Sequence, residues 1–236
     1  MSKIKDIKVK LINKRDADKI VKSLHYSGKV TQNSQLNYGV FYKGKLMGCA
    51  QFGPSIDKRR MAQNLGIGMN ESLELNRLAI SDFLGKNAES RVLGICLKLI
   101  KKQYPFIRCI ISFADACQCG DGTIYRASNF KLHSFKVNKS LLTLSGKSLE
   151  YVRKFIPCAN EIMAQKALDN YRVDSGRYLG AVAKEMGAQS LSGYQMKYIY
   201  FFDKELEGRF KFVDFKDIPQ EVKMYKGEKL ERDSRN

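Results

Sequence analysis

The sequence predicts an α/β fold with a central mixed sheet flanked by helices, and three neighbouring segments carry this prediction. LELNRLAI at 73–80 predicts a strand, and FIRCIISFA at 106–114 is β-branched and almost continuously apolar, as in a buried strand. Between them, apolar residues recur about every 3.6 positions from Asn87 onward, which predicts an amphipathic helix. A strand–helix–strand unit in one sheet needs a right-handed crossover, so the two strands are expected to run parallel.

The first part of the chain predicts a helix and a hairpin ahead of this central unit. A helix is expected over residues 15–28, with Asp16 as its N-cap. The segment 38–53 predicts a β-hairpin that turns at Lys43 and Gly44. Both elements are expected to belong to the same domain as the central unit.

The segments after the central unit predict more strands, a helix and a charged tail. Strands are expected within 130–147 and 193–203, and a helix within 160–190. With 236 residues, 44% of them hydrophobic, the chain is long enough to bury a sizeable core. We predict a single domain over residues 1–205, followed by a C-terminal extension with a charged tail over residues 206–236.

The charge balance favours a nucleic-acid partner. Lysine and arginine total 42 against 24 aspartate and glutamate residues, a formal net charge of +18. Such an excess commonly neutralises a phosphate backbone, and the release of counterions favours binding. Lys58, Arg59 and Arg60 are consecutive within the segment 54–70, which predicts a loop, and we assign them to DNA binding. The alternative is a basic surface that only faces solvent.

Hydropathy and cysteine usage predict a cytoplasmic protein with reduced thiols. No apolar run approaches membrane-spanning length, and the basic N-terminus lacks the apolar core of a signal peptide. Cys117 and Cys119 have no second pair at zinc-site spacing. The other four cysteines stand among apolar residues and are expected in the core: Cys49, Cys96, Cys109 and Cys158.

The string SFADACQCGDGTIYRASNF at 112–130 concentrates polar chemistry at the end of a central strand. A short helix after the Gly-Asp-Gly turn would hold Tyr125 in its first turn and Asn129 at its left-handed end. Ser112, Asp115 and Tyr125 could then converge where open α/β sheets place their ligands. Asp115 would serve as a base or metal ligand, and Tyr125 as a proton donor. The structural alternative is an aspartate that caps a loop and a tyrosine packed on the core.

The start of the central helix predicts an anion site. The first N–H groups of a helix have no intrahelical partners and attract negative charge. Gly85, Asn87, Ser90 and Arg91 stand at this start, where Asn87 is expected as the N-cap and Arg91 as a clamp for phosphate or carboxylate. In the structural alternative, Arg91 pairs with a neighbouring acidic side chain.

The chain has two histidines. His25 stands at the end of the first predicted helix, next to Tyr26. A lone histidine there is more often a partner of the helix dipole than a catalyst, so its position alone favours a structural role. His133 stands among strand-like residues and is expected to be structural.

Six longer strings resemble the bacteriophage Mom family of DNA-modification proteins. They are HYSG, GVFYKGKLMGCAQFGP, ELNRLAISD, NAESR, SFADACQCGDGTIYRASNF and GYQMKYIYF, in this order between about residue 20 and residue 205. The resemblance implies a GNAT-like acyltransferase fold and a cytoplasmic enzyme acting inside the bacterial host. It implies a transferase that adds a carbamoylmethyl (acetamido) group to the exocyclic amine of adenine in double-stranded DNA. This modification would protect phage DNA from host restriction.

The resemblance also implies roles for individual residues. It implies an iron requirement, which His25, Tyr26 and Asp115 would meet with nitrogen and oxygen ligands. His25 or Asp115 would take the proton of the amine, and Tyr125 would assist the leaving group. The matching positions are His25 and Tyr26 in the family's His-Tyr pair, Ser90 and Arg91 in ESR, Ser112 and Asp115 in SFAD, and Tyr125 in IY.

The group donor and two other functions stay open. Typical GNAT proteins bind coenzyme A with a glycine-rich loop, whereas LGKNAESR holds only Gly85, so an acyl-CoA and a glycine-derived donor are both considered. A conventional acetyl-CoA-dependent N-acyltransferase, acting on a protein or small-molecule amine, would turn over without DNA. A DNA-binding module without chemistry would keep its DNA affinity after Asp115→Asn.

Overall fold

A seven-stranded mixed sheet forms the centre of the structure, a computed structural model that describes residues 3–25, 27–115, 120–137, 142–143, 189–190 and 194–218. The strands are β1 (Lys8–Leu11), β2 (Leu36–Tyr42), β3 (Lys45–Gly53), β4 (Ser72–Ile80), β5 (Cys109–Asp115), β6 (Lys131–Val137), β7 (Leu142–Thr143), β8 (Gln189–Ser190) and β9 (Tyr194–Phe201). In the main sheet they are ordered β1-β2-β3-β4-β5-β9-β6, while β7 and β8 form a separate two-stranded sheet. The predicted α/β class, with a central mixed sheet flanked by helices, is confirmed.

The helices of the described residues are short, apart from the one that connects β4 to β5. They are α1 (Lys14–Leu24), α2 (Lys58–Leu65), α3 (Ala88–Gln103), α4 (Thr123–Ala127) and α5 (Lys204–Glu207), with 3-10 helices at Lys3–Asp6, Asp82–Leu84 and Phe215–Asp217. Strands β1 to β4 pair antiparallel with their neighbours, and β4 pairs parallel with β5. The predicted parallel strand–helix–strand unit is therefore confirmed.

Both predicted N-caps differ from the structure in detail. Asn13 caps α1, because its side chain accepts a hydrogen bond from the backbone N–H of Asp16 at 2.9 Å. The prediction of Asp16 as the cap is wrong, since its carboxylate lies inside the first turn and accepts from Nδ2 of Asn13 at 2.8 Å. Asn87 does hold the N-cap position of α3, but its left-handed backbone (φ 66°) leaves its side chain without a capping hydrogen bond.

The segment predicted as a loop over 54–70 contains α2, so that prediction is wrong. The carboxylate of Asp57 caps this helix by accepting from the backbone N–H of Arg60 at 3.1 Å, and Gly66 ends it with a φ of 63°. Ala62 and Leu65 are buried one turn apart on its inner face. The three cations ahead of them make the segment polar on average. Its short apolar stripe therefore does not indicate a helix in the sequence.

The predicted hairpin turn and core cysteines are confirmed. Lys43 and Gly44 connect β2 to β3 with φ angles of 48° and 81°, the left-handed values that two-residue hairpin turns need. Cys49, Cys96 and Cys109 are fully buried free thiols, whereas Cys117, Cys119 and Cys158 lie outside the described residues.

Two apolar clusters hold α1 and α2 on the sheet. Each large aliphatic side chain buried in them contributes about 1.5–3 kcal/mol relative to exposure. Ala17 and Val21 of α1 pack with Cys49 and Ala79, and a second cluster combines Leu65, Cys109, Ile111, Ile199, Phe201 and Leu206.

The chain divides into two compact units. The first comprises Met1–Phe113, Gly122–Ser134 and Lys197–Phe215, and the second Ala114–Asp121, Phe135–Met196 and Lys216–Asn236. The domain boundary at residues 205 and 206 stays a prediction. The helix predicted within 160–190 and the charged tail lie outside the described residues. Among the residues that are described, no helix has the length and apolar character to cross a membrane.

Candidate active site

Strands β4 and β5 separate after a short parallel pairing. Their register runs from Ser72 opposite Cys109 to Glu74 opposite Ile111, and within the described residues it extends no further. Both strands continue beyond this point, β4 to Ile80 and β5 to Asp115. Open α/β sheets bind ligands near the carboxyl ends of such parallel strands, so the region where β4 leaves β5 is a candidate site.

Buried polar atoms without partners concentrate beside this region. Six side chains in the described part of the chain carry a buried polar atom for which the geometry gives no hydrogen bond. Leaving such an atom unpaired costs about 1–3 kcal/mol, so a folded protein retains it where water or a ligand satisfies it. Gln51 lies on β3, Asn76 on β4 and Ser55 in the loop after β3, while Thr31 lies in the loop that precedes β2. These four residues together with Glu74 are named the β3–β4 polar edge.

Glu74 is the titratable group of the β3–β4 polar edge. It is half-buried, and burial raises the pKa of its carboxyl group. The nearby Ser55 hydroxyl, Asn76 amide and Arg77 guanidinium favour the charged form, but burial outweighs them. A carboxylate with a raised pKa is a better proton acceptor near neutral pH.

Sequence reasoning missed Glu74 and Asn76, although both belong to the string ELNRLAISD. The available signal was two polar side chains at nearby positions of a strand whose remaining residues are mostly apolar.

A β-bulge and one glycine shape the polar edge. The register shifts between Gln51 and Phe52, which pair with Arg77 and Leu75 respectively, so Asn76 stands outside the regular pairing. Gly53 pairs with Glu74, and a Cβ atom added there would lie 1.9 Å from the carbonyl oxygen of Asn33 and 2.9 Å from Oδ1 of Asn76. Only glycine permits this approach of the 31–35 loop to the end of β3.

Gln51 connects the polar edge to α1 and β2. Its side chain is completely buried, and its Nε2 donates to Oδ1 of Asp18 at 3.0 Å and to Oδ1 of Asn37 at 2.9 Å. Asp18 is itself held by Lys14 through an ion pair of 2.6 Å. Since both amide hydrogens are used, the orientation of the Gln51 side chain is fixed.

His25 lies in a loop that is tied to β4. It follows the last turn of α1, and its Nδ1 contacts the Ser27 hydroxyl at 2.8 Å and accepts from the backbone N–H of Ser27 at 3.2 Å. Arg77 donates from Nε to the carbonyl oxygen of Lys29 at 2.8 Å and from Nη1 to that of Asn76 at 2.6 Å. Arg77 therefore connects the His25 loop to the polar edge.

The described residues do not fit the iron site that the family resemblance implies. The described part of the chain contains no group of three or more His, Cys, Asp or Glu side chains that could hold a metal ion. Tyr26 lies outside the described residues. We therefore derive no chemical step through iron.

Tyr125 lies in the first turn of α4, as predicted, and its ring packs against other aromatic side chains. The ring centroids of Phe130 and Tyr198 lie 5.6 Å and 5.4 Å from that of Tyr125. Asn129 ends the helix with a left-handed φ of 64°, and Phe130 is buried after it, so the predicted exit is confirmed. Tyr125 itself is partly exposed.

Ser112 and Asp115 lie on the last part of β5. Ser112 is completely buried, and its hydroxyl has no hydrogen-bond partner among the described residues. Asp115 is half-buried and ends the strand, in the second compact unit, whereas Ser112 and Tyr125 belong to the first. The convergence of these three side chains stays a prediction.

The residues of the predicted anion site lie at the start of α3. Gly85 has a φ of 82° and precedes the helix, and the Ser90 hydroxyl donates to the carbonyl oxygen of Asn87 at 3.2 Å. The backbone N–H of Arg91 donates to the same oxygen at 3.1 Å, and the Arg91 side chain is exposed. The four predicted residues therefore share one end of one helix.

The predicted DNA-binding cations lie at the start of α2, and all three are exposed. An open surface cavity of about 690 Å³ borders this helix and is lined in part by Arg59, Met69, Glu71 and Arg108. Arg108 is engaged by Asp203 at 2.6 Å and by Glu71 at 3.4 Å. Of the two arginines at this cavity, Arg59 is therefore the better placed to contact a phosphate.

Comparison with known proteins identifies a matching family and a curated relative. A family model described as the Mom protein family matches residues 6–220. Methylcarbamoylase mom of Escherichia phage Mu is 36% identical over 131 residues, which cover 53% of this chain and 53% of that protein. The chain thus spans about half the length of this curated relative.

Among solved structures, the chain is similar to several acetyltransferases. A Bacillus subtilis acetyltransferase in complex with CoA has a TM-score of 0.47 at 8% identity, with 83% of this chain and 99% of that chain covered. A probable acetyltransferase from Staphylococcus epidermidis ATCC 12228 has a TM-score of 0.46 at 10% identity, with 83% and 99% covered.

Proposed function

The chain belongs to the Mom protein family, and on this premise we propose that it is a transferase that modifies adenine in DNA. The group transferred is a carbamoylmethyl group, and the acceptor is the exocyclic amine. One structural observation supports this proposal most directly. Glu74, a half-buried carboxyl group with a raised pKa, lies beside the Ser55 hydroxyl and the Asn76 amide and pairs with Gly53, which precedes the exposed cations of α2 by five residues.

The proposed reaction needs a base, because the lone pair of the adenine amine is delocalised into the ring. As the amine nitrogen forms its bond to the methylene carbon of the donor, the bond from that carbon to the leaving group breaks. The leaving group departs with the electron pair, and the Glu74 carboxylate accepts the proton of the amine. General-base catalysis of this kind contributes about 10²–10⁴-fold to a rate.

The other predicted side chains fit supporting roles in the same proposal. Tyr125 would protonate the leaving group, and Ser112 would hydrogen-bond the donor. The start of α3, with Arg91, would hold an anionic part of the donor. A glycine-derived donor fits transfer through a methylene carbon, whereas an acyl-CoA would react at its carbonyl carbon and give an amide. Asp115 and His25 remain the alternative bases. Glu74 is preferred because it combines a raised pKa with a place beside the buried Ser55 and Asn76 side chains.

The target amine is paired inside the duplex, so the base must leave the stack to react. Lys58, Arg59 and Arg60 would hold the flanking phosphates during this movement. An adenine that carries a carbamoylmethyl group presents an altered edge in the major groove. Restriction enzymes that read this edge would no longer cut, which is the proposed benefit to a phage.

The proposal is tested by expressing the protein in bacteria and analysing nucleosides from digested plasmid DNA by mass spectrometry. Wild-type protein is expected to produce deoxyadenosine heavier by one carbamoylmethyl group. A glycyl group attached through its carbonyl has the same atoms, so fragmentation must show that the amine bears a methylene carbon. Glu74→Gln should abolish the adduct and Tyr125→Phe should reduce it, while Glu205→Gln, an exposed control, should have no effect.

Each outcome decides between the functions considered. A carbamoylmethyl adduct that persists in Glu74→Gln but disappears in Asp115→Asn would transfer the role of base to Asp115. Turnover of acetyl-CoA with a protein or small-molecule amine, and no adduct in DNA, would favour a conventional N-acyltransferase. DNA binding without any adduct would contradict the transferase proposal.

A further inference from the structure

The loop between β3 and α2 presents one apolar side chain to solvent. Ile56 is 95% exposed, the highest value among the large hydrophobic residues of the described chain. The residues around it are fixed, since Ser55 is buried and Nδ2 of Asn33 donates to the carbonyl oxygen of Pro54. Asp57 on the other side caps α2. An anchored loop therefore holds a fully exposed isoleucine.

Exposed cations follow this isoleucine directly. A single exposed apolar residue is common on protein surfaces and by itself needs no explanation. Here, however, Lys58, Arg59 and Arg60 come immediately after Asp57, and all three are exposed. Proteins that unstack a duplex use this combination, with an apolar wedge such as isoleucine between base steps and cations on the phosphates.

Ile56 also lies close to Glu74. Gly53 is paired with Glu74, and the three residues from Gly53 to Ile56 span at most about 10 Å. Ser55, the neighbour of Ile56, is close enough to Glu74 to oppose the rise in its pKa. A side chain that entered the base stack at Ile56 would therefore stand beside the carboxyl group assigned to the extruded adenine.

We propose that Ile56 enters the DNA duplex as a wedge and fills the space that the target adenine leaves when it rotates out. This inference rests on the proposed function, because it is the reaction at the paired amine that requires an extruded base. Burial of the isoleucine side chain between base pairs offsets part of the free energy of unstacking. The cations of α2 keep the adjacent phosphates in place meanwhile.

The test uses the full chain and duplexes that carry 2-aminopurine, a fluorescent adenine analogue, at adenine positions in several sequence contexts. Its fluorescence rises when the base leaves the stack. Wild-type protein is expected to raise the fluorescence, Ile56→Ala to lose most of this rise and Ile56→Phe to retain it. The rate of adenine modification on paired duplexes should fall by about tenfold or more in Ile56→Ala. It should recover when the adenine lies opposite an abasic position.

A matched control and two readouts separate the wedge from the transferase proposal. Leu11→Ala removes another exposed aliphatic side chain, on β1, and should change neither readout. Equal fluorescence in wild type and Ile56→Ala would overturn the wedge, whether or not an adduct forms. A rise that depends on Ile56 without any adduct would support the wedge and contradict the transferase. Because Ile56 is exposed, an unchanged melting temperature should accompany its substitution.

Discussion

Arg77 on β4 holds the carbonyl oxygen of Lys29 at 2.8 Å, and this hydrogen bond ties the loop after His25 to the strand that carries Glu74. The same guanidinium donates to the backbone carbonyl of Asn76. One side chain thus spans two segments that are far apart in the sequence. The position of His25 relative to the β3–β4 polar edge depends on it.

Arg77→Ala is expected to lower the free energy of unfolding by about 0.5–1.5 kcal/mol, because it removes the hydrogen bonds to the Lys29 and Asn76 carbonyl oxygens. Arg77→Lys should recover only part of this loss, since an ammonium group cannot reproduce the planar fork. Urea denaturation checks both variants. Arg209→Ala, which removes an exposed ion pair with Glu205, is the control and should change stability little. An Arg77→Ala protein as stable as this control would contradict the role given to Arg77.

Glu74→Gln is expected to reduce adenine modification by about 10²–10⁴-fold without weakening DNA binding. The amide keeps the size of the side chain and one of its two acceptor oxygens but cannot accept the proton. Initial rates on plasmid DNA and the dissociation constant for the same DNA measure the two effects separately. A parallel decrease in binding would show that Glu74 holds the DNA or the structure instead.

Glu74 should also make the stability of the folded protein depend on pH. Here Glu74→Gln is expected to be favourable, although the same substitution should reduce activity. Burial raises the pKa of Glu74 in the folded protein, so the contribution of the protonated group is complete below the unfolded pKa. That contribution is lost as the pH rises through the folded pKa. Glu74→Gln cannot ionise, so its melting temperature should exceed that of wild type near neutral pH, and the difference should vanish in acid. Equal melting curves at every pH would contradict the raised pKa.

Gly122→Ala is expected to destabilise the protein more than a substitution at an equally left-handed glycine. A Cβ atom at Gly122 would lie 2.3 Å from the ring of Tyr198, and its φ of 75° adds backbone strain. Gly44 has a φ of 81°, but a methyl group added there would meet no atom of the described chain within 4 Å. Gly44→Ala should therefore cost only the strain, about 1–2 kcal/mol. Chemical denaturation of the two variants gives the difference, and equal destabilisation would mean that Tyr198 moves freely.

Substitution of the α2 cations should change the salt dependence of DNA binding. Removal of one phosphate interaction reduces the slope of log affinity against log salt by about 0.9 for duplex DNA. Single alanine substitutions of Lys58, Arg59 and Arg60 should show this reduction, uniformly across DNA sequences. Lys98→Ala, an exposed cation on α3, should leave the slope unchanged. The prediction fails if Lys98 and the α2 cations behave alike.

Elements with a strong local pattern could be predicted from the sequence. The period of α3, the apolar run of β5 and the Lys43-Gly44 turn depend on neighbouring residues, and the structure confirms all three. Helix α2 was missed, because its two buried positions are short of a full amphipathic pattern. Its cap at Asp57 and its end at Gly66 were nonetheless present in the sequence.

The candidate site was harder to predict, because it depends on pairings between distant segments. Glu74 acquires its raised pKa from burial in the folded sheet, and Asn76 stands outside the regular pairing because it is the extra residue of the bulge in β4. Neither property is visible in a window of local sequence. Tyr125 could be selected from its place after a central strand and His25 from the family resemblance, whereas the loop hydrogen bonds of His25 required the fold.

The position of β9 between β5 and β6 has a consequence for synthesis on the ribosome. Strands β5 and β6 emerge first, yet the strand that separates them in the sheet is translated only after a long intervening segment. Until then the nascent chain carries two unpaired strand edges, which can pair with other chains. Such late, non-local closure slows folding and favours chaperone engagement. The yield of native protein should therefore depend on translation speed across the segment that precedes Tyr194.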